Sequence, residues 1–396
     1  MLSFKYRVYP SKKQVLHLNR QMKLAKEIYN LLLDKAKEYY KETGKTFSKF
    51  DMNNYIKELK LQKPEFSEIH SQVLQNISKR ISDGYKAFFR RVKEKKKGKS
   101  VKAGFPRYKK FVCSLTYPQF GFKFKDQRHV YISRIGSVPI ILHRLPKGKI
   151  KTCTIKKYRS GKWYMVFSNE IMEEEFKSNG KEEVGIDIGL KAFVALSDGQ
   201  KIESPKFLRK SEERLKLLQR RVSRKAKGSS NRRRAKFRLA RLHEKVDNQR
   251  SDFLHKLSKE QVGSFSKIKV EKLKIQNMMS NHRLAKSISD ASWGKYIQML
   301  HYKAWSAGCE VEYVAPENTT KKCSNCGNKQ DMTLLERTYN CPSCGHTEDR
   351  DINAAKNIKS TVGLTGSHAC GDSASTRPAK DGQAVSLKQE LNEART

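Results

Sequence analysis

No stretch of the chain runs to about 18 consecutive apolar residues, which excludes a helix built to cross a bilayer. The opening residues, MLSFKYRVYPSKKQ, lack the apolar core of a secretory signal, so a cytoplasmic protein is expected. A disulfide framework is also missing. Of the eight cysteines, Cys113, Cys153, Cys309 and Cys370 are scattered, and the other four form two CxxC pairs, which suits a reducing compartment. Acid is scarce as well: 40 Asp and Glu face 84 Lys and Arg, a formal charge of +44. That excess disfavours basic or neutral partners. It is spread along the whole chain, so it points to a polyanion, nucleic acid before membrane. No internal repeat is found.

With 396 residues and 37% hydrophobic content, the chain has material for several cores and two to four domains. Ser3–Tyr9 alternates as a strand and stops at Pro10. From Ser11 to about Arg91 the pattern is helical, with Val73, Leu74, Ile77, Ile81, Tyr85 and Phe88 on one face. A basic connector, broken by Gly98, Gly104 and Pro106, leads into β-forming sequence over 111–178. There Cys153–Tyr158 and Lys162–Phe167 read as a hairpin around Arg159-Ser160-Gly161. Val184–Leu196 reads as two strands about Gly189, the usual opening of a ribonuclease H-like sheet. Two long basic helices over 207–258, interrupted at Lys227-Gly228-Ser229-Ser230, suit a hairpin that tracks phosphates. Further strands are expected at Lys267–Glu271 and Glu310–Val314, with an amphipathic helix between them at Trp293–Trp305. Residues 362–396 have no periodicity and are expected to be a disordered tail.

Two motifs carry chemistry. Cys323-x2-Cys326 and Cys341-x2-Cys344 offer four thiolates to one Zn²⁺, and Gly327 and Gly345 follow as knuckle turns require. Four sulfurs leave no open position, so this metal is structural. His346 beside the last ligand is read as a bystander. The second motif is a set of acids. Asp187 lies among β-branched neighbours, where an unpaired carboxylate is costly, and a divalent cation would remove that cost. Glu271 ends another apolar strand, and Asp351 opens a helix whose Ala354 and Ala355 permit close packing. Adjacent strands would gather the three around two Mg²⁺ ions roughly 3.5–4 Å apart, one activating water and one the leaving oxygen.

GIDIGLKAFVALSDG, KIKVEKLKIQNM, the long segment SISDASWGKYIQMLHYKAWSAGCEVEYVAPENTTKKCSNCG and YNCPSCGHTEDRDINAAKNI resemble the TnpB family. These are insertion-sequence nucleases related to type V CRISPR effectors, and the likeness spans about 1–358. The resemblance implies a multidomain α+β protein with a RuvC-type α/β nuclease domain at 179–318 and 348–361, interrupted by a zinc ribbon at 319–347. It implies a helical recognition domain at 11–110 and a barrel-like β wedge at 111–178 that takes its first strand from 1–10. Asp187, Glu271 and Asp351 match the family's catalytic metal-binding acids; Asp351 is preferred to Asp349 because it precedes x-Asn-Ala-Ala. The activity implied is guide-RNA-directed cleavage of double-stranded DNA beside a short motif, by one protein per RNA. Phe47, Ser71, Gln72, Gln75 and Gln119 would lie near that motif, with Gln75 suited to adenine. A guide-dependent repressor without useful cleavage is the alternative, disfavoured by the intact acids. A strand-joining transposase would want a different order of acids.

Overall fold

Leu2–Val8 alternates because one side of it is a core face: Phe4, Tyr6 and Val8 are buried, whereas Lys5 and Ser3 are not. In a computed structural model describing residues 2–170, 177–333 and 336–361, this strand (β1) lies in the middle of a seven-stranded antiparallel sheet. The described residues fall into two compact units, 2–170 and 177–361. The expected tail at 362–396 lies outside the described residues.

In the first unit, β1 leads to helices α1 (Lys12–Thr43), α2 (Lys49–Gln62) and α3 (Ser71–Lys96). Each start has a sequence cause. Ser11 and Gln14 cap α1 reciprocally, as Ser48 and Asp51 do for α2. On α3 the buried face is Val73, Leu74, Ile77, Ile81 and Tyr85; Phe88 instead stacks on Phe105 of the connector, centroids 4.0 Å apart. Six strands follow: β2 (Ser114–Pro118), β3 (Phe122–Phe124), β4 (His129–Ile132), β5 (Gly136–Ile141), β6 (Lys149–Lys157) and β7 (Trp163–Glu170). The sheet order is β2-β6-β7-β1-β5-β4-β3. β6 and β7 form the hairpin about Arg159-Ser160-Gly161, in the register Lys157↔Trp163. One hydrophobic core joins the helices to this sheet.

The second unit is built on a five-stranded sheet in the order β10-β9-β8-β11-β12. Its strands are β8 (Glu183–Ile188), β9 (Ala192–Leu196), β10 (Lys201–Glu203), β11 (Lys267–Glu271) and β12 (Glu310–Val314). β8, β11 and β12 run parallel, while β9 and β10 are antiparallel to their neighbours. The basic helices α4 (Phe207–Ser223) and α5 (Ser230–Ser264) link β10 to β11, and α6 (Ile275–Met279), α7 (His282–Ala291) and α8 (Trp293–Ala304) link β11 to β12. Val184, Ile186 and Ile188 share a core with Leu254 and Leu257 of α5 and with Trp293, Tyr296 and Leu300 of α8. The alternate residues, Gly185 and Asp187, therefore face the other way. There sits α9 (Arg350–Ser360), preceded by the short hairpin β13 (Thr338–Asn340) and β14 (Thr347–Asp349). Among the described residues no helix is long and apolar enough to cross a membrane.

Candidate active site and metal centre

Gly185 decides how close α9 comes. A Cβ there would stand 2.1 Å from the Ala355 carbonyl oxygen and 2.5 Å from the Lys359 nitrogen, so only glycine lets the helix backbone rest on β8. Ala354 and Ala355 are fully buried at this contact. The result sets the N-terminal turn of α9, with Asp351, beside the C-terminal end of β8, with Asp187. β11 is the other neighbour: its register with β8 ends at Val270↔Ile186, so Glu271 lies next to Asp187 in the following row.

Electrostatics link the three acids. Burial pushes the Asp187 carboxyl up from 3.8 to about 7, and the negative charges of Glu271 and Asp351 push it the same way, with Arg350 opposing. Glu271 is also raised, first by burial, while a hydrogen bond donated by the Thr319 hydroxyl opposes the rise. The acids nevertheless stand farther apart than the thiols. Among the described residues, only the four cysteines form a group of three or more potential ligands with all ligand atoms within 4.8 Å.

Asp349 and Asp351 have different work. Asp349 is the N-cap of α9, its Oδ1 accepting the backbone N–H of Asp351 at 2.9 Å and of Ile352 at 3.3 Å. It also forms an ion pair with Lys201. Asp351 has two cations near its carboxylate, Lys201 Nζ at 3.8 Å and Arg350 Nε at 3.7 Å. Lys201, Thr319, Asn353 and Asn357 are site residues that reading for acids and cysteines does not find. The two asparagines had a visible signal, amides at i and i+4 on a helix face otherwise of Ala and Ile.

The four thiols form a compact site. Cys323 and Cys344 Sγ are 3.8 Å apart, and Cys326 and Cys341 Sγ 3.5 Å. A tetrahedron with ~2.3 Å Zn–S bonds has edges of about 3.8 Å, so the spacing fits zinc. Both knuckles close with an N–H from a left-handed glycine: Gly327 to the Cys323 carbonyl and Gly345 to the Cys341 carbonyl, each 3.0 Å. Burial opposes ionisation of Cys341, yet backbone N–H groups of Cys344 and Ser343 and the neighbouring thiols bring it down to about 6. A thiolate is the form that binds metal. His346 is not in the group and lies against Ser324 and Glu348. Buried amides then tie this ribbon to α9. Asn353 Oδ1 accepts from the Ser324 N–H, its Nδ2 donates to the Lys322 carbonyl, and Asn357 Nδ2 donates to the Thr319 and Lys322 carbonyls, all at 2.8 Å. The ribbon thus braces the helix that carries Asp351 and the threonine that meets Glu271.

In the first unit, Ser71, Gln72 and Gln75 lie in the first turns of α3, with Ser71 and Gln75 exposed. Gln72 donates its backbone N–H to Nδ1 of the N-cap His70 at 3.3 Å. His70 packs on Tyr117 of β2, ring centroids 5.8 Å apart, which brings this helix end towards the turn holding exposed Gln119. Phe47 is different. It packs between Tyr39 and Tyr55, with centroids at 5.3 and 6.5 Å, and against the core.

Comparison with known proteins decides the family. Over 404 residues the chain is 32% identical to a protein of Streptomyces pristinaespiralis named "Putative RNA-guided DNA endonuclease", covering 99% of this chain and 96% of that one. The chain belongs to the TnpB family. Another TnpB relative, "Putative RNA-guided DNA endonuclease InsQ" of Escherichia coli K12, is 28% identical, with 96% of each chain covered. Family models match residues 167–282 ("Probable transposase"), 293–358 ("Cas12f1-like, TNB domain") and 1–45 ("Helix-turn-helix domain"). Within 1–45, however, this TnpB protein has β1 and one uninterrupted 32-residue helix. A solved Cas12f1–sgRNA–target DNA complex shares the fold, with TM-score 0.55 and 16% identity over 87% of this chain and 82% of that one.

Proposed function

We propose that this TnpB protein is an RNA-guided DNA endonuclease of a mobile element, taking its guide RNA from the element's end. It cuts double-stranded DNA beside a short motif through a RuvC-type site made of Asp187, Glu271 and Asp351. The observation that carries the mechanism is the meeting of three acids where β8, β11 and α9 pack together, with Asp187 buried among them and its carboxyl pushed up to about 7. Such a cluster is poorly solvated and self-repelling, which suits it to divalent cations. Magnesium, when bound, supplies an activated water and stabilises the leaving 3′ oxygen.

The chain's own residues do the rest. Asp187 gives up its proton on loading and contributes charge from the sheet centre. Glu271 is oriented by Thr319, and Asp351 is spared the capping duty, which Asp349 takes. The four thiols hold a structural zinc that braces α9. Ser71, Gln72, Gln75 and Gln119 offer exposed or half-exposed amides and a hydroxyl towards the adjacent motif, whereas Phe47 is packed between Tyr39 and Tyr55. The basic helices α4 and α5 suit contact with phosphates. The test is guided cleavage of plasmid DNA by the native chain and by Asp187→Ala. Cutting that needs the guide match, magnesium and Asp187 together is the expected result; cutting by the alanine variant would remove the assignment.

A further inference from the structure

Lys201 sits in the same row of the sheet as the proposed acids. Its strand partner is Ala195, whose partner on the next strand is Asp187, and Glu271 follows one strand further on. In-register residues of a sheet share a face, so Lys201, Ala195, Asp187 and Glu271 form one line. The middle residue is alanine, which leaves the lysine stem room to lie across β9 towards α9. Its ammonium pairs with Asp349 and lies 3.8 Å from Asp351 Oδ2. Lys201 belongs to neither the hydrophobic core nor the cysteine group, and its ammonium bridges the N-cap Asp349 and the neighbouring Asp351. It is 32% exposed, so its head can leave the acids for solvent. Arg350, the other nearby cation, is 13% exposed and held by a hydrogen bond to the Thr333 carbonyl at 3.3 Å. It cannot yield as readily.

We propose that Lys201 is a built-in counter-cation of the carboxylate cluster, occupying Asp351 until a divalent ion displaces it, and so sets the metal concentration at which the site loads. This rests on the acid-site reading above. It makes Lys201 a positioning residue rather than a catalytic one. It also explains why an edge strand of three residues carries its lysine at this register: the charge is placed where the metal-free cluster needs it. The competition has a sign. Removing the ammonium removes a repulsion felt by the incoming cation, so metal should bind more tightly, not less.

The experiment is Mn²⁺ titration, read by electron paramagnetic resonance of the free ion, on the full-length protein–guide RNA complex. The Asp187→Ala complex carries the same RNA, so the difference between the two isolates the acid site. Lys201→Met should lower the Mn²⁺ dissociation constant of that site by about three- to tenfold, from a charge repulsion of ordinary size. Lys201→Arg should stay within about twofold of the native value, because the charge is kept. The magnesium concentration for half-maximal cleavage should fall in Lys201→Met by a similar factor. Unchanged or weakened Mn²⁺ binding in a Lys201→Met complex that retains its zinc and native melting temperature overturns the inference. A variant that loses either is replaced by Lys201→Gln, read the same way. Equal Mn²⁺ binding by the native and Asp187→Ala complexes overturns it too, through the acid-site reading on which it rests.

Discussion

Replacing Asp187 by asparagine should abolish cleavage and yet make the magnesium-free protein more stable at neutral and alkaline pH. The folded state holds the Asp187 proton up to about pH 7, whereas the ordinary value, and so the unfolded one, is 3.8. The sign follows from linkage. The folded protein binds this proton more tightly, so its stability falls as pH rises from about 4 to about 7, then levels off. Roughly three decades of proton affinity, at about 1.4 kcal/mol each, set an upper limit near 4 kcal/mol. Asparagine carries no such cost. Between pH 5 and pH 8 the advantage of Asp187→Asn should therefore grow by about 2–3 kcal/mol, or about 5–10 °C in the melting temperature of a unit this size. The assay is calorimetry of both proteins across that pH range, without magnesium and with zinc left in place. Magnesium should raise the melting temperature of the native chain and not of the variant. A gap that stays constant with pH would refute the reasoning, since it would mean that Asp187 ionises normally without metal.

Three further perturbations are expected to separate the parts of the site. Gly185→Ala drives a Cβ into the backbone of α9 and should cost about 3 kcal/mol or more, with cleavage lost and zinc retained, as metal analysis and melting curves would report. Cys323→Ser should release zinc, lower the melting temperature of the second unit and abolish cutting; a zinc-free variant of full stability and activity would exclude the structural role. A chain ended after Leu364 should cleave guided DNA at the native rate, and its inactivity would give the tail a function.

Much of this organisation was readable from residues, for identifiable reasons. Long amphipathic helices announce themselves: the α3 face and the break between α4 and α5 lie where periodicity and Gly228 put them. The hairpin at 149–170 and the strands at Val184, Lys267 and Glu310 follow from β-branched runs and turn residues. Short elements are less legible. β3, β10, β13 and β14 have three residues each, too few for a period, and α6 and α7 have mixed polar sequence. The cysteines could be grouped from spacing because metal chemistry restricts residue type, whereas the three acids were singled out by the family resemblance. Their supports could not be named either way. Lys201, Thr319 and Asn357 act through cross-strand register and tertiary hydrogen bonds, which depend on which strand lies beside which. The choice between Asp349 and Asp351 has a physical explanation only in three dimensions, since one of them spends its carboxylate on the helix cap.

The central claim is tested most directly by one cleavage experiment. The protein, purified with the transcript of its element's end, is given Mg²⁺ and a plasmid whose target matches that guide beside randomised sequence. Double-strand breaks that require the guide match, select one adjacent motif and vanish in Asp187→Ala are the expected result. An intact plasmid in a verified guide-bound and target-bound complex would contradict it, and would make the protein one that occupies DNA without cutting it.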